Sequence, residues 1–252
     1  MGFLQPSREI YGRLAWLDEL RLVAIMVMIL DHALLFFNPD GVWPGVIRLT
    51  GTRCAEPLFV FVFAYLTIYL KRSVRVSRWL QIVMVSTVTS MILSRHLGYA
   101  VADILVSISV VVPVLGWVFA LRRRSLFVLL YVSGGLAAVP ISAVGIIFDY
   151  SPFLILNQVV LTQIHAEDGI RSAVKHGLCS AAVLMVATGL VSLATTPTAS
   201  FLVVMFGHPI AALLIAMIQG RSVHQSTPLT RLAKRPLTLY ALHLLGFAAL
   251  AG

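Results

Sequence analysis

The chain has 252 residues, of which 59% are hydrophobic and 12% charged, where soluble domains carry about 25% charged residues. Its mean hydropathy is +0.94, which excludes an ordinary soluble domain and points to an integral membrane protein. The formal charge of +9 would suit nucleic acid, but the positive residues lie in short loops between apolar segments, as they do when they orient a membrane protein; nucleic acid is set aside as a partner.

Residues 1–19 are mixed and polar, with Arg8, Glu9, Arg13, Asp18 and Glu19. The apolar run that follows contains charges and leads to no small-residue cleavage site, so it does not read as a signal peptide. Nine apolar segments then follow, at about 20–37, 56–70, 79–94, 98–121, 125–148, 151–166, 173–194, 199–219 and 237–252. A helix crosses the ~30 Å hydrocarbon layer with ~20 residues. The second, third, sixth and ninth segments are short by that measure and must extend, tilt or thin the bilayer. No linker or internal repeat divides the chain. The expectation is one all-α transmembrane domain over residues 1–252, in a cytoplasmic (inner) membrane, with the lipid bilayer as its first partner.

Nine crossings with the N-terminus inside place sixteen positive residues inside: Arg8, Arg13, Arg21, Lys71, Arg72, Arg75, Arg78, Arg122, Arg123, Arg124, Arg171, Lys175, Arg221, Arg231, Lys234 and Arg235. Only three, Arg48, Arg53 and Arg95, fall outside. This map puts the C-terminus outside. It also requires the sixth segment, SPFLILNQVVLTQIH, to cross, since otherwise the basic loop 220–235 would be external. A polar-containing segment is tolerated at that depth if it is buried in protein or lines a cavity.

The first segment holds MVMILDHALLFF, with Asp31 and His32 side by side in an apolar run. At ~1.5 Å per residue, His32 lies about 18 Å from the inner end, just past the midplane. An ionisable residue there points to function, against the alternative of a packing hydrogen bond or structural ion pair. Adjacent helical positions point ~100° apart, so Asp31 cannot hold His32 from the same helix and needs an arginine elsewhere. Arg53 and Arg95 lie on the outer side, with Glu56, His96, Asp103 and Asp149. These residues are expected to line one outward-opening pocket, although His96 and Arg48 read as solvated helix ends. The last segment, LTLYALHLLGF, adds Tyr240 and His243, three residues apart and on one face, with Tyr240 able to hydrogen-bond His243. Met26, Met28 and the aromatic run in 59–69 read as lipid-facing or packing residues. Cys54 and Cys179 match no redox or zinc spacing, and Cys179 reads as a small packed thiol. Nucleotide-binding, zinc-protease and nucleophile-elbow motifs are absent from the sequence, and no metal is expected.

In order along the chain stand AIMVMILDHALLFF, GTRCAEPLFVFVFAYLTIYLKR, VADILVSISVVVPVLGW, DYSPFLIL and LTLYALHLLGF. Together they resemble the TraX family of membrane N-acetyltransferases, which acetylate the N-terminus of conjugative pilin. The resemblance runs over nearly the whole chain. The opening WLDELRLVAIMVMILDH is also similar to the wider transmembrane acyltransferases: the acyltransferase-3 group, the glucan succinyltransferases and the heparan glucosaminide acetyltransferases.

This resemblance implies transfer of an acyl group from acetyl-CoA to an amine or hydroxyl acceptor, such as a pilin or another envelope molecule. It matches the Asp-His pair to Asp31 and His32, the arginine of a Gly-Arg-x-x-x-Pro-x-Phe pattern to Arg53, and a Tyr-x-x-His pattern to Tyr240 and His243. The chain departs where Thr52 separates Gly51 from Arg53, where Glu56 takes a usually apolar place, and at Ala64. The implied machinery is His32, Asp31 and Arg53 for chemistry, with Glu56, Arg95, Asp103, Asp149, Tyr240 and His243 for binding. A proton-coupled transporter or a non-catalytic assembly factor is the alternative. The first would carry inverted repeats with broken helices, which the sequence does not display.

Overall fold

A computed structural model of the chain describes residues 8–37, 47, 51–69, 76–137, 142–143, 146–148, 151–192, 208–219 and 235–251. Its helices are α1 (Arg8–Phe37), α2 (Ala55–Tyr69), α3 (Val76–Leu97), α4 (Ile104–Val111), α5 (Leu115–Phe119), α6 (Arg123–Leu136), α7 (Pro152–Asp168), α8 (Ile170–Ser192), α9 (His208–Gln219) and α10 (Pro236–Ala251). Local chemistry sets several of the boundaries. Gly98, with φ +77°, follows α3 and returns its N–H to the Ser94 carbonyl at 3.0 Å, the left-handed stop that glycine allows. Ser151 caps α7 by accepting the Phe153 N–H at 3.3 Å, with Pro152 in the first turn. Gly169, φ +81°, closes α7 on the His165 carbonyl.

The all-α expectation holds for the described residues apart from three short strands. The segment expected to be helical from 98 instead begins with β1 (Val101–Ala102) and becomes helical only at Ile104. Pro113 lacks the N–H an α-helix needs, and the rod passes through a 3-10 turn at Val112–Val114 before α5. The segment expected over 125–148 is helical only to Leu136; β2 (Ser142–Ala143) and β3 (Ile146–Phe148) follow. In the sequence, a proline at 140 disfavours a continuing helix, and the isoleucines and valine after it favour strand. The sheet order is β1-β3-β2, with β1 parallel to β3 (Val101 opposite Ile147) and β2 antiparallel to it.

α2 packs between α1 and α7; α6, α7 and α8 pack on one another; α10 packs on α1 and α3; and α4 joins α3 to α7. The short sixth segment becomes the central rod. Its polar side chains Asn157, Gln158, Thr162, Gln163 and His165 are all buried, while large apolar residues face outward elsewhere. Along α3, Leu80, Met84, Val88 and Met91 form an exposed stripe, and Ser86 and Thr89 turn inward. Such extended apolar surface is foreign to a soluble monomer. Two helical stretches, Trp16–Phe37 and Val76–Leu97, are long and apolar enough to cross a membrane.

Candidate functional site

Among the described residues, α1, α10 and the 3-10 turn Thr52–Cys54 bring together most of the polar residues singled out above. His32 is buried at 8% exposure, and its Nδ1 lies 2.8 Å from Nε2 of His243. The ring planes lie within 20° of each other. The tautomers follow from one further contact. Nδ1 of His243 lies 3.0 Å from the Leu239 carbonyl, which can only accept, so that nitrogen carries the proton. Nε2 of neutral His243 is then an acceptor, and Nδ1 of His32 must donate to it. The lone pair of His32 is thereby assigned to Nε2, the arrangement of an imidazole oriented to take a proton.

Tyr240 does not hydrogen-bond His243, as the sequence suggested. Its ring meets His243 edge-on at 5.4 Å and His32 at 5.8 Å, and its hydroxyl donates to Oδ1 of Asp103 at 2.5 Å. Asp103 does not lie within a helix either. It stands at the N-cap of α4 without capping it, because both carboxylate oxygens are engaged elsewhere: Thr89 donates to Oδ2 at 2.5 Å. The Asp103 N–H donates to Ser90 at 3.1 Å. A carboxylate 2% exposed is thus met by two hydroxyls, which is how a buried charge becomes tolerable.

Asp31 accepts a hydrogen bond from Thr52 at 2.5 Å. Thr52 is the residue that interrupts the Gly-Arg pair of the resembled pattern, and here it fastens the turn to α1. Arg53, next in the chain, is buried at 6% exposure. Glu56, 2% exposed, accepts from the Gln158 amide at 2.7 Å. Arg95 is exposed at the end of α3, and no hydrogen bond or ion pair joins it to this group among the described residues. Asp149 lies outside the described residues. His96, read as a solvated helix end, stacks on Phe36 at 4.0 Å while remaining exposed.

Both cysteines are free. Cys179 is exposed, which corrects its reading as a packed thiol. Cys54 is buried, its thiol donates to the Gly51 carbonyl at 3.2 Å, and burial pushes its pKa up, the mark of an unreactive thiol. No group of three or more His, Cys, Asp or Glu side chains is gathered for a metal among the described residues.

A cavity of about 180 Å³ touches this cluster at Tyr240; His32 and His243 do not line it. Arg21, Arg78, Met28, Pro236 and Tyr240 are among its lining residues, and the rest of the lining is apolar. Arg21 also holds Asp18 at 2.7 Å. The chemistry this permits is proton transfer at His32, near a mostly apolar cavity that two guanidinium groups help to line. No protein-family model, curated protein or solved structure matches the chain.

Sequence reasoning missed Thr52, Thr89 and Gln158, which meet the three carboxylates, and Ser90, which accepts the Asp103 N–H. Thr52 was visible only as a departure from a pattern. Neutral hydroxyls and amides in apolar segments carry no charge signal of their own.

Proposed function

We propose that the chain is a multi-pass inner-membrane acyltransferase, nine-spanning and N-terminus inside, that moves an acetyl group from acetyl-CoA to an amine or hydroxyl acceptor such as a pilin N-terminus. The observation that carries this reading is the His32–His243 pair packed against Tyr240, which lines a cavity shared with Arg21 and Arg78. Under the charge map both arginines face the cytoplasm, where acyl-CoA resides. Two guanidiniums suit its phosphates, and the apolar walls suit its slender thioester arm.

In this mechanism His32 Nε2 takes the proton of the acceptor as its nitrogen or oxygen attacks the thioester carbonyl. His243 steadies the resulting imidazolium, since its Nε2 already accepts from His32. Arg53 is the candidate donor to the developing oxyanion. When the carbon–sulfur bond breaks, the thiolate leaves and recovers the proton from His32. The Asp103–Tyr240 bond fixes the ring that lies edge-on to both imidazoles.

The test is incubation of the purified protein with labelled acetyl-CoA, followed by locating the label. Transfer is expected, with Arg78→Glu raising KM for the donor several-fold while kcat changes little. Proton flux in proteoliposomes without any acyl transfer would contradict this reading and favour a transporter.

A further inference from the structure

A second, larger cavity of about 470 Å³ lies between α8 and α9, floored by α7 and α2. Its volume falls within the ~300–1,000 Å³ usual for small-molecule sites. It runs along α7 from Leu154 to His165, eleven residues or about 16 Å at 1.5 Å per residue. The walls are mostly apolar, with Asn157, Gln158, Thr162 and Ser180 among the lining residues, and the α8 wall is thinned by Ala173, Gly177 and Ala181. Leu178 and Leu213, both exposed by 60% or more, stand among the lining residues, so the cleft opens on the apolar outer surface.

At one end sits His165. It is 6% exposed and lines the cavity. Its ring meets Phe61 and Tyr65 edge-on or tilted, and neither ring nitrogen has a hydrogen-bond partner among the described residues. A neutral imidazole offers one donor and one acceptor, and here both are available to an occupant of the cavity it lines. A hydroxyl group matches both. A carboxylate matches only the donor and would be desolvated in a mostly apolar cleft that holds no lysine or arginine among the described residues.

We propose that this cleft binds a single-chain lipid ending in a hydroxyl group, with the hydroxyl at His165 and the chain running toward Leu154. The site is separate from the His32 cluster and does not depend on the acyltransferase reading. The experiment uses the full chain in lipid nanodiscs with a photoactivatable long-chain alcohol carrying a diazirine in its tail, and peptide mapping of the cross-links. Cross-links concentrated on α7, α8 and α9, competed by unlabelled hexadecanol several-fold better than by palmitate, are expected. His165→Phe keeps the ring and loses both nitrogens, and should weaken competition about three- to tenfold, as loss of roughly one hydrogen bond does. Gly177→Leu should block the cleft; a Cβ there meets only Leu161, at 3.7 Å, so the helix itself accepts a side chain. Both variants must elute as the parent does. Cross-links spread evenly over all outward-facing helices, or labelling unchanged in both well-behaved variants, would overturn the site. Better competition by palmitate would overturn the hydroxyl assignment.

Discussion

Asp31 and Arg53 lie at the join between α1 and the turn that starts α2. Thr52 ties the turn to Asp31, and the next residue carries a buried guanidinium. A buried charge needs an opposite one, and removing either member of such a pair costs ~3–5 kcal/mol. Asp31→Asn and Arg53→Gln should therefore each lower thermal stability in detergent and acyl transfer, with the double variant less damaged than the sum. Additive changes across the four proteins of the cycle would show that the two are not a pair. Arg95, the rival partner for Asp31, is weakened by its exposure. At this scale the sequence showed which ionisable residues matter, because charges in an apolar run stand out. It did not show the bonds they make. Tyr240 and His243 share a helical face, yet the hydroxyl reaches across to Asp103 on α4, a contact that only the tertiary arrangement decides.

The elements themselves were legible where hydrophobicity runs long. Every apolar segment has its helix, although α1 extends back through polar residues to Arg8. The errors came at prolines. A hydropathy pattern reads through Pro113 and Pro140, whereas the described backbone passes into a 3-10 turn at Val112–Val114 and the helix expected over 125–148 ends at Leu136. The crowded contact of α6 with α7 and α8 had no such signal, since Gly134 in an apolar run looks unremarkable. A Cβ there would sit 2.6 Å from Ser180 Oγ and 3.2 Å from Asn157 Nδ2. Those two groups hydrogen-bond each other at 2.8 Å. Gly134→Ala should force them apart and cost ~1–3 kcal/mol through overpacking. Gly135→Ala, whose Cβ would meet only Val183 at an ordinary 3.7 Å, should cost far less. Equal melting temperatures for the two variants would contradict the close approach.

Among the described residues, apolar side chains fill the core and also cover much of the outer surface, while several polar groups are turned inward. Asp103, Glu56 and the amides of α7 are buried, while Met84, Met91, Leu178 and Leu250 are exposed. An apolar surface over inward-facing polar groups suits a lipid solvent, in which backbone and side-chain polar groups must be satisfied within the protein. Under the proposed nine-span map, the sixteen-to-three division of positive residues puts the N-terminus inside. Alkaline phosphatase fused after Gly252 should be active and fused after Arg124 silent; activity at Arg124 would overturn the map.

The central claim is that His32 is the base of an acyl transfer. Its lone pair is oriented by a chain running from the Leu239 carbonyl through His243, and losing a general base lowers rate ~10²–10⁴-fold. The direct measurement compares the transfer rate from labelled acetyl-CoA for the parent protein and for His32→Ala, both purified from membranes at matched yield and thermal stability. The account predicts a loss of that size in a protein that still inserts and accumulates. Near-parental transfer by a well-folded His32→Ala protein would contradict it and leave the histidine pair with a packing role.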